Sequence, residues 1–478
     1  MMKLMGNHDA LLECNLNLKG TIMSLCYSGL NTKVRGHPIA IFVEQDHPLV
    51  ELAQVIPWQE LADLILPDLQ KSTKKGFIHL GRPLRLRSHL GAFLLKIIFD
   101  LTDRDLEYAI KDNAAYQIFC GSGVVKGWET IDHTSIEKFR NRIDPETQRQ
   151  IANLIGPIAV KLGFADPSQT DVDSTVQEAN SSYPADATLM MKLTKKAHKV
   201  LEWLKEKGNV AAKHIQIDLK QVISAGKEYF FCSKNTLVEK KREIFGRLHR
   251  EVKNQVYPLL DLIESVDPKE ISTVPWNIKK IFDQIAPNGK RYLLDVAHFI
   301  RTHTIKNGKL LAWHLKEFTC IKKGKIGKDK EFGRVFQLGR IKGNFLFVGK
   351  STSIRMEDAA SLLPMVEEHT QLFGAGTLKS LTTDKKYFSQ ENIDALEKIE
   401  DLSLGYRLED MSEEKFNKLM DHRAGLEALI GQTKHGGQLG KSRMKSDKAT
   451  LAAGYAAVGG FNLRQIIRCQ KGKMKKVS

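Results

Sequence analysis

A chain of 478 residues with a formal net charge of +17 is long enough for two or three domains, and its 42% hydrophobic content is that of an ordinary globular protein. The charge points to a polyanionic partner, nucleic acid before an anionic membrane surface. No apolar run approaches the ~20 residues that span a bilayer, the N-terminus lacks a signal-peptide pattern, and the cysteines are scattered with no Cys-x-x-Cys, so the expectation is a cytoplasmic protein with neither zinc knuckle nor disulfide framework.

Residues 1–45 are weakly patterned, with one short strand at 39–43. From Pro48 the pattern turns helical: Leu49, Leu52 and Val55 recur at a three-residue spacing, and Pro57 opens a second helix. A basic loop over 81–87 leads into an apolar helix at 90–99. Thr102, followed by Asp103 and Asp105, reads as an N-cap with an acidic first turn, and Asp132 caps a helix whose body is 136–143. Arg140 and Arg142 on that helix have two readings. They either touch DNA phosphates from a helix-turn-helix-like module or are ordinary solvated arginines of an all-helical domain.

The texture changes at Pro167. Residues 170–176 alternate and are β-branched, which predicts a strand. It carries Asp171 and Asp173 on one side, with Val172 and Ser174 on the other. Aspartate is depleted in strands, and one placed there is often functional or paired. A turn at 180–184 closes the segment. Residues 187–300 are basic and helical in period, with apolar faces at 201–204, 237–248 and 256–263 and breaks at Pro258 and Pro275. Their cations either track DNA or, as is commoner for such faces, are only solvated. Strand texture returns after Lys309, where 332–338 and 344–348 flank the turn Lys342, Gly343, Asn344, a hairpin signal. A helix at 356–369, a strand at 377–383 ending on Asp384, a helix at 390–400, a short strand at 402–408 and a long helix from Ser412 follow. The last segment is basic, with Lys441, Arg443 and Lys445 as candidate DNA contacts and Lys471, Lys473, Lys475 and Lys476 near its end.

On the long helix, Arg423, Glu427 and Lys434 fall within about 40° of one another, a stripe of cation, carboxylate and cation beside an apolar face of Leu426 and Leu429. By itself this also fits a surface salt bridge on an amphipathic helix. With the helical block set aside, the order of elements is β-β-β-α-β-α-β-α. That is the ribonuclease-H-like layout, an α/β fold whose mixed sheet is flanked by helices. In it the first strand and the strand ending at Asp384 can lie side by side, and Asp173, Asp384 and Glu427 would converge at one edge. Three clustered carboxylates repel unless cations neutralise them, and two Mg²⁺ ions suit hard oxygen ligands. Two metals about 4 Å apart serve phosphodiester displacement. Asp171 rivals Asp173 because both point the same way, and Asp186 is a weaker rival. Glu367, Glu368 and His369 share a helix with Pro364 and are expected to face solvent.

The stripe matches in full the spacing arginine, three residues, glutamate, six residues, lysine. With Asp173 in the run 172–176 and Asp384 in the run 383–387, the sequence resembles the bacterial insertion-sequence transposases of the DDE class. It is most similar to the group with a helical N-terminal transposase domain. Met420 stands where the signature has tyrosine, and Lys386 where the second acid motif often has glycine. Segments 46–49, 119–121 and 461–464 also resemble that group, so the resemblance runs from about 46 to 468. It implies catalytic, metal-binding Asp173, Asp384 and Glu427, supported by Arg423 and Lys434. It implies two Mg²⁺ ions with Mn²⁺ able to substitute, double-stranded DNA (terminal inverted repeats and target) as partner, and a homodimer in the synaptic complex, with no membrane. The expected divisions are a mostly helical domain at 1–165 for DNA-end binding or dimerisation, a catalytic domain at 166–186 and 306–478, and a helical insertion at 187–305. The competing functions are a structure-specific nuclease on the same fold and an inactive DNA-binding relic.

Overall fold

The computed structural model describes residues 24–27, 33–34, 37–38, 41–71, 85–121, 131–181, 185–233, 235–265, 274–325, 328–351, 357–405 and 412–472. Most of the expected basic loop at 81–87, the ends of the turn at 180–184 and of the strand at 402–408, and the lysines beyond 472 lie outside them. Short N-terminal strands pair locally, β1 (Ser24–Tyr27) with β4 (Ile41–Glu44) and β2 (Lys33–Val34) with β3 (His37–Pro38), all antiparallel.

Helices then run Pro48–Val55, Trp58–Lys71, Leu86–Phe99, Asp103–Asp112, Ala114–Phe119, His133–Arg142 and Pro145–Lys161. Their starts are written in the sequence. The Thr102 hydroxyl accepts the Asp105 N–H, and Asp132 accepts those of Thr134 and Ser135. The Leu86–Phe99 helix is apolar nearly all round, as a helix must be to sit among others: Leu90, Phe93, Leu94, Leu95 and Ile98 are all buried.

The central sheet has six strands: β5 (Asp166–Glu178), β6 (Thr319–Lys325), β7 (Lys328–Lys342), β8 (Phe345–Val348), β9 (Ser380–Thr383) and β10 (Ser403–Leu404). Their order is β10-β9-β5-β7-β6, with β8 also on β7. The β5–β7, β6–β7 and β7–β8 pairs are antiparallel, whereas β9 runs parallel to β5 and β10 parallel to β9, so the sheet is mixed. The predicted hairpin turns at Gly343 (φ 98°) and Asn344 (φ 68°), two consecutive positive φ values that a tight two-residue turn requires. A Cβ on Gly343 would stand 2.2 Å from the Phe164 carbonyl oxygen, so only glycine fits. Strand β6 was not expected. It lies at the edge of the sheet, and its lysine-rich sequence lacks the alternation by which a half-buried strand is read.

The free edge of β8 is closed by two buried asparagines instead of a strand. Asn153 accepts the Val348 N–H at 2.8 Å and donates to its carbonyl at 3.0 Å. Asn462 treats Leu346 the same way, at 2.9 and 2.6 Å. Buried backbone groups must be paired, and these side chains do what a neighbouring strand would. One sheet face packs Phe336, Leu338, Leu346 and Val348 against Leu426, Leu429 and Ile430 of the Glu413–His435 helix and Tyr455, Val458 and Phe461 of the Asp447–Gln470 helix. On the other, Val172, Ile341, Phe345, Phe347 and Leu381 join the N-terminal helices in one continuous core.

Between β5 and β6 lie the helices Asp186–Glu206, Val210–Lys213, Leu219–Phe231, Val238–Ser265, Trp276–Ile285 and Gly289–Thr302. They bury a separate core, including Leu193, Val200, Leu248, Val252, Leu259, Tyr292 and Trp313. Pro275 caps the Trp276–Ile285 helix, but Pro258 does not break the chain there: it lies inside Val238–Ser265. The lost N–H bond is outweighed by the buried stripe of Val256, Leu259, Leu260 and Ile263 that surrounds it. Among the described residues no helix is long and apolar enough to cross a membrane.

Candidate active site

The parallel β5–β9 ladder ends on the pair Val172 and Thr383. Asp173 and Asp384 are the next residue on each chain. They therefore lie at the same level on neighbouring backbones about 5 Å apart, Asp173 within β5 and Asp384 just past the end of β9. Asp384 ends β9 and caps a 3₁₀ turn, Lys385–Tyr387, its carboxylate accepting the Lys385 N–H at 2.8 Å. Asp173 is half-buried and accepts the Ser174 N–H at 2.7 Å. Burial pushes its carboxyl up. The Ser174 N–H and Arg423 pull it down, and the carboxylates of Glu427 and Asp358 raise it again.

Glu427 and Arg423 are thus electrostatic neighbours of Asp173, brought there by the Glu413–His435 helix, which packs across β5 and β9. That helix buries Leu426, Leu429 and Ile430, leaves Glu427 exposed and half-buries Arg423 and Lys434. Asp358, the first residue of the Asp358–Phe373 helix, was not foreseen as part of this neighbourhood. The one signal for it was an acidic residue at a helix start, which is too common to single out. Among the described residues no group of three or more His, Cys, Asp or Glu side chains stands ready to hold a metal ion.

Asp171, the rival acid, has a different surrounding. It is fully buried, its Oδ2 3.4 Å from an Arg340 guanidinium nitrogen and 2.7 Å from His422 Nδ1. Arg340 also donates to the His422 carbonyl and, at 3.0 Å through Nε, to the Asn344 side chain in the hairpin turn. A Cβ at Gly425 would come within 2.7 Å of that guanidinium, so the glycine between Arg423 and Glu427 lets Arg340 lie against the helix backbone. Asp171 and Arg340 fasten the glutamate-bearing helix to the sheet.

The other candidates disperse. Asp186 pairs with Lys309 at 2.6 Å and accepts from the Tyr292 hydroxyl. The expectation that 367–369 face solvent holds at Glu367 alone. Glu368 pairs with Arg149 and accepts from Asn153 at 2.8 Å, while the His369 ring, 1% exposed, sits 2.8 Å from the Pro167 carbonyl. The Asp358–Phe373 helix packs that face on the Pro145–Lys161 helix and β5. Arg140 reaches Asp103 at 3.1 Å, beside Lys96 on the same carboxylate, and Arg142 donates to the Leu69 carbonyl at 2.6 Å, so both are held inside the helical domain. Lys441 and Lys445 are exposed, and Arg443, also exposed, pairs with Asp100.

Residues 37–142 match the family described as Transposase domain (DUF772). The chain is 29% identical over 170 residues to "Uncharacterized protein ORF8 in nfe locus" of Rhizobium meliloti, a match that covers 34% of this chain and 77% of the relative. No solved structure matches.

Proposed function

We propose that this chain, whose residues 37–142 match a transposase domain, is an insertion-sequence transposase that cleaves DNA at the ends of its element and joins the freed 3′-hydroxyl to target DNA, using Asp173, Asp384 and Glu427 on a ribonuclease-H-like sheet. The observation that carries this reading is the ladder pair Val172 and Thr383, which sets the two aspartates that follow them at the same level where the parallel β5–β9 ladder ends. Glu427 arrives on a helix that Asp171 and Arg340 fasten to that sheet. In the first step water attacks the phosphodiester at the element end and the 3′-oxygen leaves. In the second, that 3′-hydroxyl attacks a target phosphodiester, a new phosphorus–oxygen bond forms, and the target strand's own 3′-oxygen leaves and takes up the proton.

The acids suit two Mg²⁺ ions, with Mn²⁺ able to substitute. They are hard oxygen donors, and the Asp173 carboxyl is raised first by burial and then by the carboxylates of Glu427 and Asp358, a repulsion that cations relieve. Bound there, the ions would supply Lewis acidity to the attacking and leaving oxygens. Arg423 keeps the acids oriented from within the same electrostatic neighbourhood, and Lys434, further along the helix, holds a DNA phosphate. The exposed cations Lys441 and Lys445 continue that basic surface. The partner is double-stranded DNA, bound as paired ends by a homodimer.

Cleavage and end binding measured side by side test the site. Asp173→Asn, Asp384→Asn and Glu427→Gln should each abolish Mg²⁺-dependent cleavage while leaving end binding near parent strength. Retained cleavage in any one of them removes that residue from the site. Cleavage by the parent with no joined product would favour the structure-specific nuclease instead.

A further inference from the structure

Two acid motifs more than 200 residues apart must be held in register, and one side chain touches the surroundings of both. Tyr387 is fully buried and lies three residues beyond Asp384, at the end of the turn that Asp384 caps. Its hydroxyl donates to Gln337 Oε1 at 2.8 Å. Gln337, on β7, is the ladder partner of Ser174, the residue next to Asp173. The Ser174 N–H in turn holds the Asp173 carboxylate at 2.7 Å. On its other side, the Tyr387 carbonyl accepts from Asn392 Nδ2 at 2.7 Å, and that amide also donates to the carbonyl of Ala359, beside Asp358. The contacts therefore run from Asp173 through Ser174, its ladder partner Gln337 and Tyr387 to the turn behind Asp384.

We infer that Tyr387 is a positioning residue, whose hydroxyl, held by Gln337, sets Asp384 against Asp173 for a shared divalent cation. The inference rests on the proposed role of those two acids. Burial, reinforced by the carboxylates of Asp358, Asp173 and Asp384, pushes the phenol far above its ordinary range, so it remains a donor. A buried donor with a fixed acceptor constrains the backbone that carries it, and the turn of Asp384 has only three residues in which to adjust. Among the described residues the Gln337 amide nitrogen has no hydrogen-bond partner, and its side-chain oxygen takes the Tyr387 hydroxyl.

The test uses the full chain, with Mn²⁺ alone as the probe, and reads binding by calorimetry or electron paramagnetic resonance. Tyr387→Phe should weaken Mn²⁺ binding about 10–100-fold, the usual loss when a group supporting a metal ligand is removed. In Mg²⁺-dependent cleavage it should lower kcat and leave KM for the DNA end unchanged. Gln337→Leu should reproduce the defect, and the double variant should be no worse than either single one, since all three lose one bond. Asp384→Asn separates this inference from the reading beneath it. If Asp384→Asn binds Mn²⁺ like the parent, the acid site itself is wrong and the inference falls with it. If Asp384→Asn loses binding while Tyr387→Phe keeps parent affinity and kcat, the site stands and Tyr387 is only a packed core residue. Thermal unfolding of each variant confirms that the comparison is made between folded chains.

Discussion

Asp171 and Asp173 lie two residues apart on one strand, and their surroundings give them different work. Asp171 is buried against Arg340 and His422, so its loss should appear as lost stability. Removing one partner of a buried pair costs about 3–5 kcal/mol, because the other charge stays buried and unanswered. Denaturant unfolding should therefore show a large drop for Asp171→Asn and a small one for Asp173→Asn. Activity corrected for the folded fraction should reverse the order. Equal stability losses would mean that the two acids share one role.

Glu107 supplies a pH test at the same scale. Its carboxylate is pulled down to about 2, first by Lys111, then by the backbone N–H and ring of His133. A carboxylate whose folded pKa is depressed contributes stability that is present above its ordinary value of 4.5 and lost as pH falls toward 2. Glu107→Gln should flatten the acid limb of the stability curve in that window and leave its slope above pH 6 unchanged. An unaltered acid limb would show that the contact persists in the unfolded chain.

At the scale of elements, the strand carrying Asp171 and Asp173, the hairpin and the long helix were legible in the sequence. Each has a clean period and its own turn or apolar face, such as Gly343 with Asn344 or Leu426 with Leu429. What could not be read was long-range and polar. Nothing local says that Asp171 meets Arg340, that Arg140 turns inward to Asp103, or that Asn462 completes the edge of β8, because those partners are set by how distant elements pack. Edge strand β6 was hidden because its lysine-rich sequence carries no alternation. The asparagine edge gives a prediction. Asn462→Leu orphans the N–H and C=O of Leu346, and each buried unmet group costs about 1–3 kcal/mol. The variant should lower the unfolding midpoint well beyond the effect of an exposed substitution. Hydrogen exchange at Leu346 should rise, and protection equal to the parent's would show that another group closes that edge.

For the whole molecule, the helices between β5 and β6 bury their own core, whereas the N-terminal helices share one with the sheet. We predict that residues 185–316, expressed alone, fold cooperatively with Trp313 buried, and that residues 41–165 alone do not, because Phe345, Phe347 and Leu381 would be missing from their core. Near-ultraviolet circular dichroism of the two fragments decides this. The net charge of +17 suits a DNA partner, and Lys434→Ala should lower the salt slope of end binding by about one if that lysine neutralises one phosphate. The central claim is strand transfer at Asp173, Asp384 and Glu427. It is tested most directly by incubating the full chain and Mg²⁺ with labelled DNA bearing inverted repeats sought in the sequence that flanks its gene, together with a supercoiled plasmid. The account predicts labelled plasmid products joined through the 3′ ends of the repeats, with none formed by Asp173→Asn. Joined product of equal yield from that variant would contradict it.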